Sequence, residues 1–310
     1  MPRRLSKADY VGLILGFSLL ATVVLAQVAQ DREKSNRARC QANLGLLAKA
    51  SLVYAADNID SLPCYPPLTA VTYDAAIKAD IGKDGAEETI EWIYKEKKYT
   101  SNPSSNLWIL VLQGSMPTKY LLCPSDPFAN KTADITKGMS YYTNFQDAKN
   151  ISYSSAFPWA GGDDAHPKFG GVWRNQTDAS KALYSDMAPY LGQKAKPGEA
   201  ATRPANSQKE DPVDPQWAVT KANSQNHQFE GQNVAFDDGH ADWTKNPDVG
   251  QNNDSIWGII KEEGKVRKSA NENVIEIPIE AGKLPHAPSG VPGAYDVVMV
   301  PTRDAKGELK

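Results

Sequence analysis

The 310-residue sequence contains few of the residues and motifs from which active sites are most often recognised. It has only three cysteines and four histidines, and it contains no Cys-x-x-Cys, Gly-x-Ser-x-Gly or glycine-rich phosphate loop. These motifs are typical of dithiol redox proteins, serine hydrolases and nucleotide-binding proteins, respectively. The sequence therefore gives no motif evidence for any of these three activities.

Positive charge is not in excess either. The 34 Lys and Arg residues are balanced by 37 Asp and Glu residues, which gives a formal net charge of −3. General nucleic-acid binding needs a basic surface, so we predict no nucleic-acid partner. Beyond the first 30 residues the sequence is polar and contains many glycines and prolines, which predicts a modest core with long loops.

The odd number of cysteines leaves at least one of them unpaired within the monomer. Cys64 and Cys123 both lie next to prolines in predicted loops, and they are the candidate disulfide pair. Cys40 lies on a predicted helix, where it needs only to pack. Three free thiols are the alternative, and the spacing fits no zinc motif.

Only one long apolar run is present, at residues 10–30. This segment of 21 residues carries no charge and lies between Asp9 and Asp31. As a helix it would rise about 31 Å, close to the roughly 30 Å hydrocarbon core of a bilayer. The basic cluster in residues 1–9 favours a cytoplasmic N-terminus, so we predict a single-pass transmembrane helix with everything after it outside the cytoplasm.

Two other interpretations of this segment are open. A cleaved secretory signal also begins with basic residues, and Val24 and Ala26 fit its cleavage site, but its apolar stretch is usually only about 7–15 residues. A buried core helix is the other interpretation. The uncharged length and the preceding basic cluster argue against a core helix.

The helical pattern continues past the apolar run, through residues 31–57, and no proline interrupts it. Residues spaced by four and three positions place one apolar stripe on this part of the helix. Near Asp57 the helix is predicted to end, because a proline-rich segment follows. The residues of the stripe are Cys40, Leu44, Leu47, Ser51 and Tyr54.

Residues 58–310 are predicted to form one globular domain with inserts at about 68–105 and 191–216. A short apolar helix is predicted at 106–113. Strands are predicted mainly after residue 139, and the segment 181–186 is typical of a buried strand that ends in an acid. Two more strands are predicted at 274–279 and 295–300.

A β-hairpin is predicted at 233–244, because Asp-Gly between alternating residues is a strong hairpin signal. With Asp238 and Gly239 as a two-residue turn, residue 237 pairs with 240 and residue 234 with 243. One face is then apolar and buried, and the other is exposed. The buried face holds Val234, Phe236, Ala241 and Trp243, and the exposed face holds Asn233, Ala235, Asp237, His240, Asp242 and Thr244.

The acidic residues of this hairpin suggest a metal site, since clustered carboxylates bind Ca²⁺ and a histidine with two acids binds transition metals. The alternative, which we favour, is a solvated hairpin face with an ion pair between Asp237 and His240. The candidate metal ligands are Asp237, Asp238, His240 and Asp242.

Three blocks of sequence resemble the pilin-like proteins of bacterial type II secretion and type IV pilus systems. The blocks are residues 32–44 with Tyr54 and Ala55, residues 122–126, and residues 226–243 with 253–256. The third block resembles the C-terminal His-to-Asp-Gly motif of one large subfamily, and its motif residues are His227, Asn233, Asp238, Gly239 and Trp243.

This resemblance implies an α+β fold in which a long N-terminal membrane-spanning helix packs against a small antiparallel β-sheet. It also implies a non-enzymatic subunit of the bacterial inner membrane with a periplasmic domain and no obligatory cofactor. Assembly would occur through the N-terminal helix, with copies of itself or with other pilin-like subunits. Some relatives bind calcium in loops of the sheet domain, so calcium is the candidate ion for the acidic hairpin.

The sequence departs from the family pattern at the N-terminus. Gly16 and Phe17 resemble the prepilin cleavage site, but they lie inside the apolar run, and Ala21 occupies the position of the usual glutamate. In the family this glutamate pairs with the amino terminus of a neighbouring subunit. A second departure is that the gap from His227 to Asp238 is one residue longer than usual.

Three functions are compatible with these patterns. The first is a pilin-like assembly subunit, and the second is an uncleaved anchored domain that binds a ligand with its acidic hairpin and the loop at 191–216. The third is an anchored hydrolase that uses His227, His240 and Asp238, which we favour least because no nucleophile motif accompanies them.

Overall fold

The computed structural model describes residues 7–63, 103–133, 145, 148–156, 162–163, 166–167, 173–188, 223–251, 255–260, 276–278 and 299–300. The proposed inserts at about 68–105 and 191–216 lie almost entirely outside the described residues, as does Cys64.

A single α-helix, α1, runs from Lys7 to Asp57 over 51 residues. Along its first part the large apolar side chains between Tyr10 and Val28 are exposed, and Phe17 is 77% exposed. The helix is long and apolar enough to cross a membrane. Both a membrane anchor and a signal sequence have a segment of this kind. The prediction of one long apolar helix near the N-terminus is therefore confirmed.

The later part of α1 buries the predicted stripe. Cys40, Leu44, Leu47 and Ser51 have no exposed surface, and Tyr54 is half-buried against the core. The Ser51 hydroxyl lies 2.7 Å from the Tyr184 hydroxyl of the sheet, so even the polar member of the stripe has a partner there. The spacing of the stripe thus predicted correctly which side of the helix packs.

The sheet that covers this stripe has five antiparallel strands in the order β6-β5-β4-β1-β9. Two further pairs of short strands, β2-β3 and β7-β8, are each antiparallel. The described elements agree with the predicted α+β class. The strands are β1 (Tyr153–Ala156), β2 (Gly162–Asp163), β3 (His166–Pro167), β4 (Ala182–Asp186), β5 (Gln232–Phe236), β6 (Ala241–Thr244), β7 (Gly258–Ile260), β8 (Glu276–Pro278) and β9 (Met299–Val300).

Strand β4 confirms the prediction of a buried strand at 181–186, since all five of its residues are buried. The predicted apolar helix at 106–113 is observed as α2, Pro103–Leu112, and Gly114 follows it with a φ of +74°. Trp108 of α2 packs edge-on against Phe145, with ring centroids 5.0 Å apart. Both aromatic rings belong to the core that α1 shares with the sheet.

The hairpin of β5 and β6 forms where the sequence predicted it, but in a different register. Asn233 pairs with Trp243 and Ala235 with Ala241, one position away from the predicted pairs. The loop has three residues, because the Phe236 N–H donates to the carbonyl of His240. Within this loop only Gly239 has a positive φ, +85°, as in a three-residue turn that ends in a bulge.

This register changes which side chains are covered. Asp237 is fully buried, whereas the two-residue turn placed it on the exposed face. Trp243 is only half-buried, and the whole of β5 is buried because the strand lies between β4 and β6 and under α1. The predicted division of the hairpin into a buried and an exposed face is therefore wrong.

The disulfide joins Cys40 to Cys123, with the two Cα atoms 5.3 Å apart. The predicted pair Cys64–Cys123 is therefore wrong. Residues 122–126 lie along α1, and polar contacts reinforce this arrangement: the Asn43 amide donates to the Leu122 carbonyl, and the Asn36 amide donates to the Ser125 hydroxyl. Helix packing thus brings Cys40, predicted only to pack, directly to Cys123.

Candidate functional site

A connected group of polar side chains is centred on His227, where α1 meets the base of the hairpin. His227 is the last residue of a short 3₁₀ helix, Gln225–His227. Its N-cap is Ser224, whose hydroxyl accepts from the Asn226 N–H. Gln228 follows with a φ of +58°, so the chain turns immediately after His227 and leaves its ring in the interior.

Both ring nitrogens of His227 meet a carboxylate. Nδ1 lies 2.6 Å from Glu33 Oε1 on α1, and Nε2 lies 3.3 Å from Asp186 Oδ2 at the end of β4. The His227 and Asp186 side chains are fully buried, whereas the Glu33 side chain is 15% exposed. The histidine therefore connects the helix to the sheet through charged groups that are largely removed from water.

Neighbouring residues fix this arrangement. The Asn233 backbone N–H and side-chain amide both donate to Asp186 Oδ2, at 2.6 and 2.9 Å. Trp243 packs its ring edge-to-face with the His227 ring, at a centroid distance of 5.3 Å. The Asn226 amide donates to the Ser152 carbonyl, which ties the 3₁₀ helix to the segment before β1.

Arg37 covers the solvent side of the cluster. Its guanidinium lies 4.4 Å above the Trp243 ring and forms ion pairs with Glu33 and with Glu230. The first turns of α1 beyond the apolar run are thereby attached to the base of the hairpin. An attachment by an aromatic ring, a histidine and several charges holds the helix in one orientation relative to the sheet.

The pKa of His227 is raised above its ordinary value. Burial by itself lowers the pKa, but hydrogen bonding and charge from Asp186, followed by those from Glu33, outweigh burial. The protonated ring can donate from both nitrogens, one to each carboxylate. The folded protein therefore favours the imidazolium form more than the unfolded chain does.

We expect the contribution of His227 to stability to depend on pH. Because the folded-state pKa is raised, this contribution is complete below the unfolded pKa of about 6.5 and decreases as pH rises through the folded value. This contribution is measured by urea unfolding of the wild type and of His227→Gln between pH 5.5 and 8.5, with the disulfide intact and a metal chelator present. The difference in unfolding free energy should shrink as pH rises. The exposed His240→Gln variant is the control, and a pH-independent difference would contradict the prediction.

The predicted hairpin ligands do not come together as one group. Asp237 points inward, where its Oδ2 accepts from the Gln176 N–H at 2.8 Å and lies 3.4 Å from Lys181 Nζ. Asp238 contacts the His240 ring at the surface, and Asp242 lies 3.7 Å from the other His240 nitrogen. The predicted Asp237–His240 ion pair is replaced by Asp237–Lys181 and Asp238–His240. Calcium binding by Asp238 and Asp242 stays a prediction.

The residues of the His-to-Asp-Gly motif divide into two places. His227, Asn233 and Trp243 meet in the buried cluster, whereas Asp238 and Gly239 form the turn at the far end of the hairpin. The ideal Cβ position of Gly239 lies 3.1 Å from the Lys49 side chain, so the turn rests closely on α1. The motif therefore spans the hairpin from its base to its tip along the helix.

Sequence reasoning missed two members of the site, Glu33 and Asp186. The acid at the end of the predicted strand was a weak signal for Asp186. Glu33 is one of many charged residues just beyond the apolar run, and nothing local separates it from them. Its partner His227 is 194 residues away, so only the folded chain reveals the pair.

Comparison of the chain with protein-family models, with curated proteins and with solved structures gave no match.

Proposed function

We propose that this protein is a membrane-anchored, non-enzymatic pilin-like subunit that assembles through the exposed apolar part of α1. The observation that carries the proposal is the continuity of α1. One unbroken helix has an exposed apolar half and a second half that packs on an antiparallel sheet. An exposed run of this kind needs an apolar environment, because each large side chain gains about 1.5–3 kcal/mol when it leaves water.

The attachment of the helix to the domain supports an assembly role over a simple tether. The disulfide, the pair of Glu33 with His227, and the contact of Arg37 with Trp243 all lie within the first turns after the apolar run. With this attachment, displacement of the apolar half along its axis carries the globular domain with it. A subunit that is inserted into a filament by its helix needs this rigid connection.

The three blocks of sequence that resemble pilin-like proteins also meet in space, which supports the proposal. Glu33 and Cys40 come from the first block, Cys123 and Ser125 from the second, and His227 from the third. The resemblance therefore concerns a single structural unit, the junction of helix, mid-chain segment and hairpin. The disulfide in turn supports a location outside the cytoplasm, where disulfides persist.

The first test concerns the membrane. We expect the full chain to sediment with membranes and to resist carbonate extraction, and deletion of residues 10–30 to release it into the soluble fraction. The matched control is Val53→Asp, on the exposed side of the packed half of α1, where Val53 is 61% exposed. This variant should fractionate like the wild type. N-terminal sequencing at the same time separates starts at Met1, Phe17 and Gln27, and a soluble natural form that starts near Gln27 would contradict the proposal.

The second test concerns assembly. Cross-linking within intact membranes should give a ladder of species that contain two or more chains, and Gly16→Arg, inside the apolar run, should abolish it. The arginine at position 16 lies in the exposed half of α1, so the folded domain should remain intact. The amount of disulfide in the variant checks this. If the protein is instead a monomer in membranes, the alternative function of an anchored ligand-binding domain is favoured. Its melting temperature would then be measured with and without Ca²⁺, and the Ca²⁺ dependence should be lost in the variant that carries Asp238→Ala and Asp242→Ala.

A further inference from the structure

Four buried side chains of metal-binding type converge beside the junction of α1 and the sheet. They are Cys40, Cys123, Asp186 and His227, and one donor atom from each lies within 4.8 Å of all the others. They come from α1, from the mid-chain segment, from the end of β4 and from the 3₁₀ helix before the hairpin. Reduction of the disulfide would turn the two sulfurs into thiolates, and thiolate, imidazole and carboxylate are all ligand types that bind zinc in tetrahedral sites.

The distances around His227 Nε2 match the edges of a zinc tetrahedron. With Zn–N and Zn–O bonds of about 2.0 Å and a Zn–S bond of about 2.3 Å, tetrahedral geometry requires N···O near 3.3 Å and N···S near 3.5 Å. The observed separations are 3.3 Å from Nε2 to Asp186 Oδ2 and 3.6 Å from Nε2 to Cys123 Sγ. Two donor–donor separations, both from His227 Nε2, therefore already match a zinc tetrahedron, whereas the two sulfurs are bonded to each other and must separate on reduction.

The surroundings also have the form of a metal site. Histidines that bind a metal through one nitrogen usually donate from the other to a carboxylate, and Glu33 accepts from Nδ1 at 2.6 Å. The carboxylate of Asp186 is oriented by two hydrogen bonds from Asn233. Its other oxygen, Oδ1, is buried and has no hydrogen-bond partner among the described residues, although buried carboxylate oxygens are normally satisfied.

We propose that Cys40, Cys123, Asp186 and His227 form a Zn²⁺ site when the disulfide is reduced, and that oxidation of the two cysteines by an external disulfide expels the ion. In that oxidation the two thiolates give two electrons to the external disulfide, which takes two protons from water and becomes a dithiol. Reduction by an external dithiol transfers two electrons and two protons to the disulfide, which becomes two thiols while the dithiol becomes a disulfide. Zinc binding then releases the two thiol protons, leaving two thiolates bound to the ion. The oxidised and zinc-bound states exclude each other, because both use the same two sulfur atoms.

This inference is independent of the proposed assembly role and is tested on the full chain in detergent. The background variant is Cys64→Ser, which removes the third thiol. The protein is reduced, the reductant is removed under anaerobic conditions, and the protein is then titrated with Co²⁺. We expect one equivalent to produce the intense visible absorption of tetrahedral thiolate-bound cobalt, and Zn²⁺ to displace it. X-ray absorption of the zinc form should show two sulfurs at about 2.3 Å and two lighter atoms at about 2.0 Å.

The controls separate this site from other thiol chemistry. The oxidised protein and the double variant Cys40→Ser/Cys123→Ser should give no such absorption, and Asp186→Asn should lose the tetrahedral spectrum. Glu33→Gln should weaken zinc binding by about 10–100-fold, because Glu33 only orients His227. Asp242→Asn, at the exposed end of the hairpin, should bind like the background. If a variant fails to fold, the X-ray absorption spectrum of the background protein decides.

The proposal is overturned if the reduced background protein gives no tetrahedral cobalt spectrum, or if zinc is found with four sulfurs and hence bridges two chains. It is also overturned if binding is unchanged in Asp186→Asn, or if binding requires Cys64.

Discussion

Replacement of both Cys40 and Cys123 by serine is expected to lower the free energy of unfolding by about 4.5 kcal/mol. The disulfide closes a loop between residues separated by 83 positions, and the entropy that such a link removes from the unfolded chain grows with loop length. The two sulfurs are buried in the core between α1 and the mid-chain segment. Loss of the bond therefore frees the unfolded chain and weakens the attachment of α1.

Urea unfolding of the full chain in detergent and chelator, followed by tryptophan fluorescence, measures this effect. Reduction of the wild type should give the same loss as the double substitution, whereas Cys64→Ser should leave stability unchanged if Cys40 and Cys123 pair. A loss below 1 kcal/mol for the double variant would show that the disulfide does not constrain the fold. An equal loss in Cys64→Ser would instead indicate a different pairing in the protein.

Substitution of Lys181 by methionine is expected to cost about 3–5 kcal/mol, because it leaves the Asp237 carboxylate buried without its counter-ion. The Lys181 side chain is 4% exposed and that of Asp237 is fully buried, with Nζ and Oδ2 3.4 Å apart. Burial lowers the pKa of Lys181 and raises that of Asp237, so each charge is retained against a desolvation cost. The pair stabilises the fold only while both partners are present.

A double-mutant cycle separates this effect from simple loss of packing. Asp237→Asn keeps an oxygen acceptor for the Gln176 N–H, which donates to Asp237 at 2.8 Å, but removes the charge. The variant that carries both Lys181→Met and Asp237→Asn should therefore be more stable than Lys181→Met alone by about 1–3 kcal/mol. Lys245→Met, at an exposed position after β6, is the control and should change stability by less than about 0.5 kcal/mol.

The same variant gives a test by pH with a defined sign. In Lys181→Met the pKa of Asp237 has lost its lowering by the lysine, so it should lie further above the unfolded value than in the wild type. A carboxyl with a raised folded pKa destabilises the fold at neutral pH, and this penalty decreases as pH falls and the group protonates. The cost of Lys181→Met should thus be smaller at pH 5 than at pH 8. A cost that is constant, or additive with that of Asp237→Asn, would contradict the role of the buried pair.

Several features were predictable because they depend on neighbouring residues alone. The apolar run follows from its uncharged length, the stripe from Cys40 to Tyr54 follows from spacing at the helical period, and both are observed. The strand at 182–186 was predictable because a short apolar segment with β-forming residues buries itself on both faces. The position of the hairpin was predictable because Asp-Gly between alternating residues is a strong signal for a hairpin turn.

The register of that hairpin was not predictable from the same signal. Asp-Gly fits both a two-residue turn with two positive φ angles and a three-residue turn with one, and only Gly239 adopts a positive φ here. In the observed turn Asp237 lies inside, where it pairs with Lys181 at the start of β4. We infer that this ion pair, 56 residues apart in sequence, favours one register over the other.

The amino-acid sequence by itself determined the continuous helix, its exposed apolar half, the side on which its second half packs, and the places of β4 and the hairpin. These depend on periodicity and on local turn chemistry, which act over a few residues. Only the tertiary structure decided the partner of Cys123, the register of the hairpin, and the meeting of Glu33, Asp186 and His227. Those depend on where α1 crosses the sheet, because packing of the buried stripe sets which distant side chains come within bonding distance.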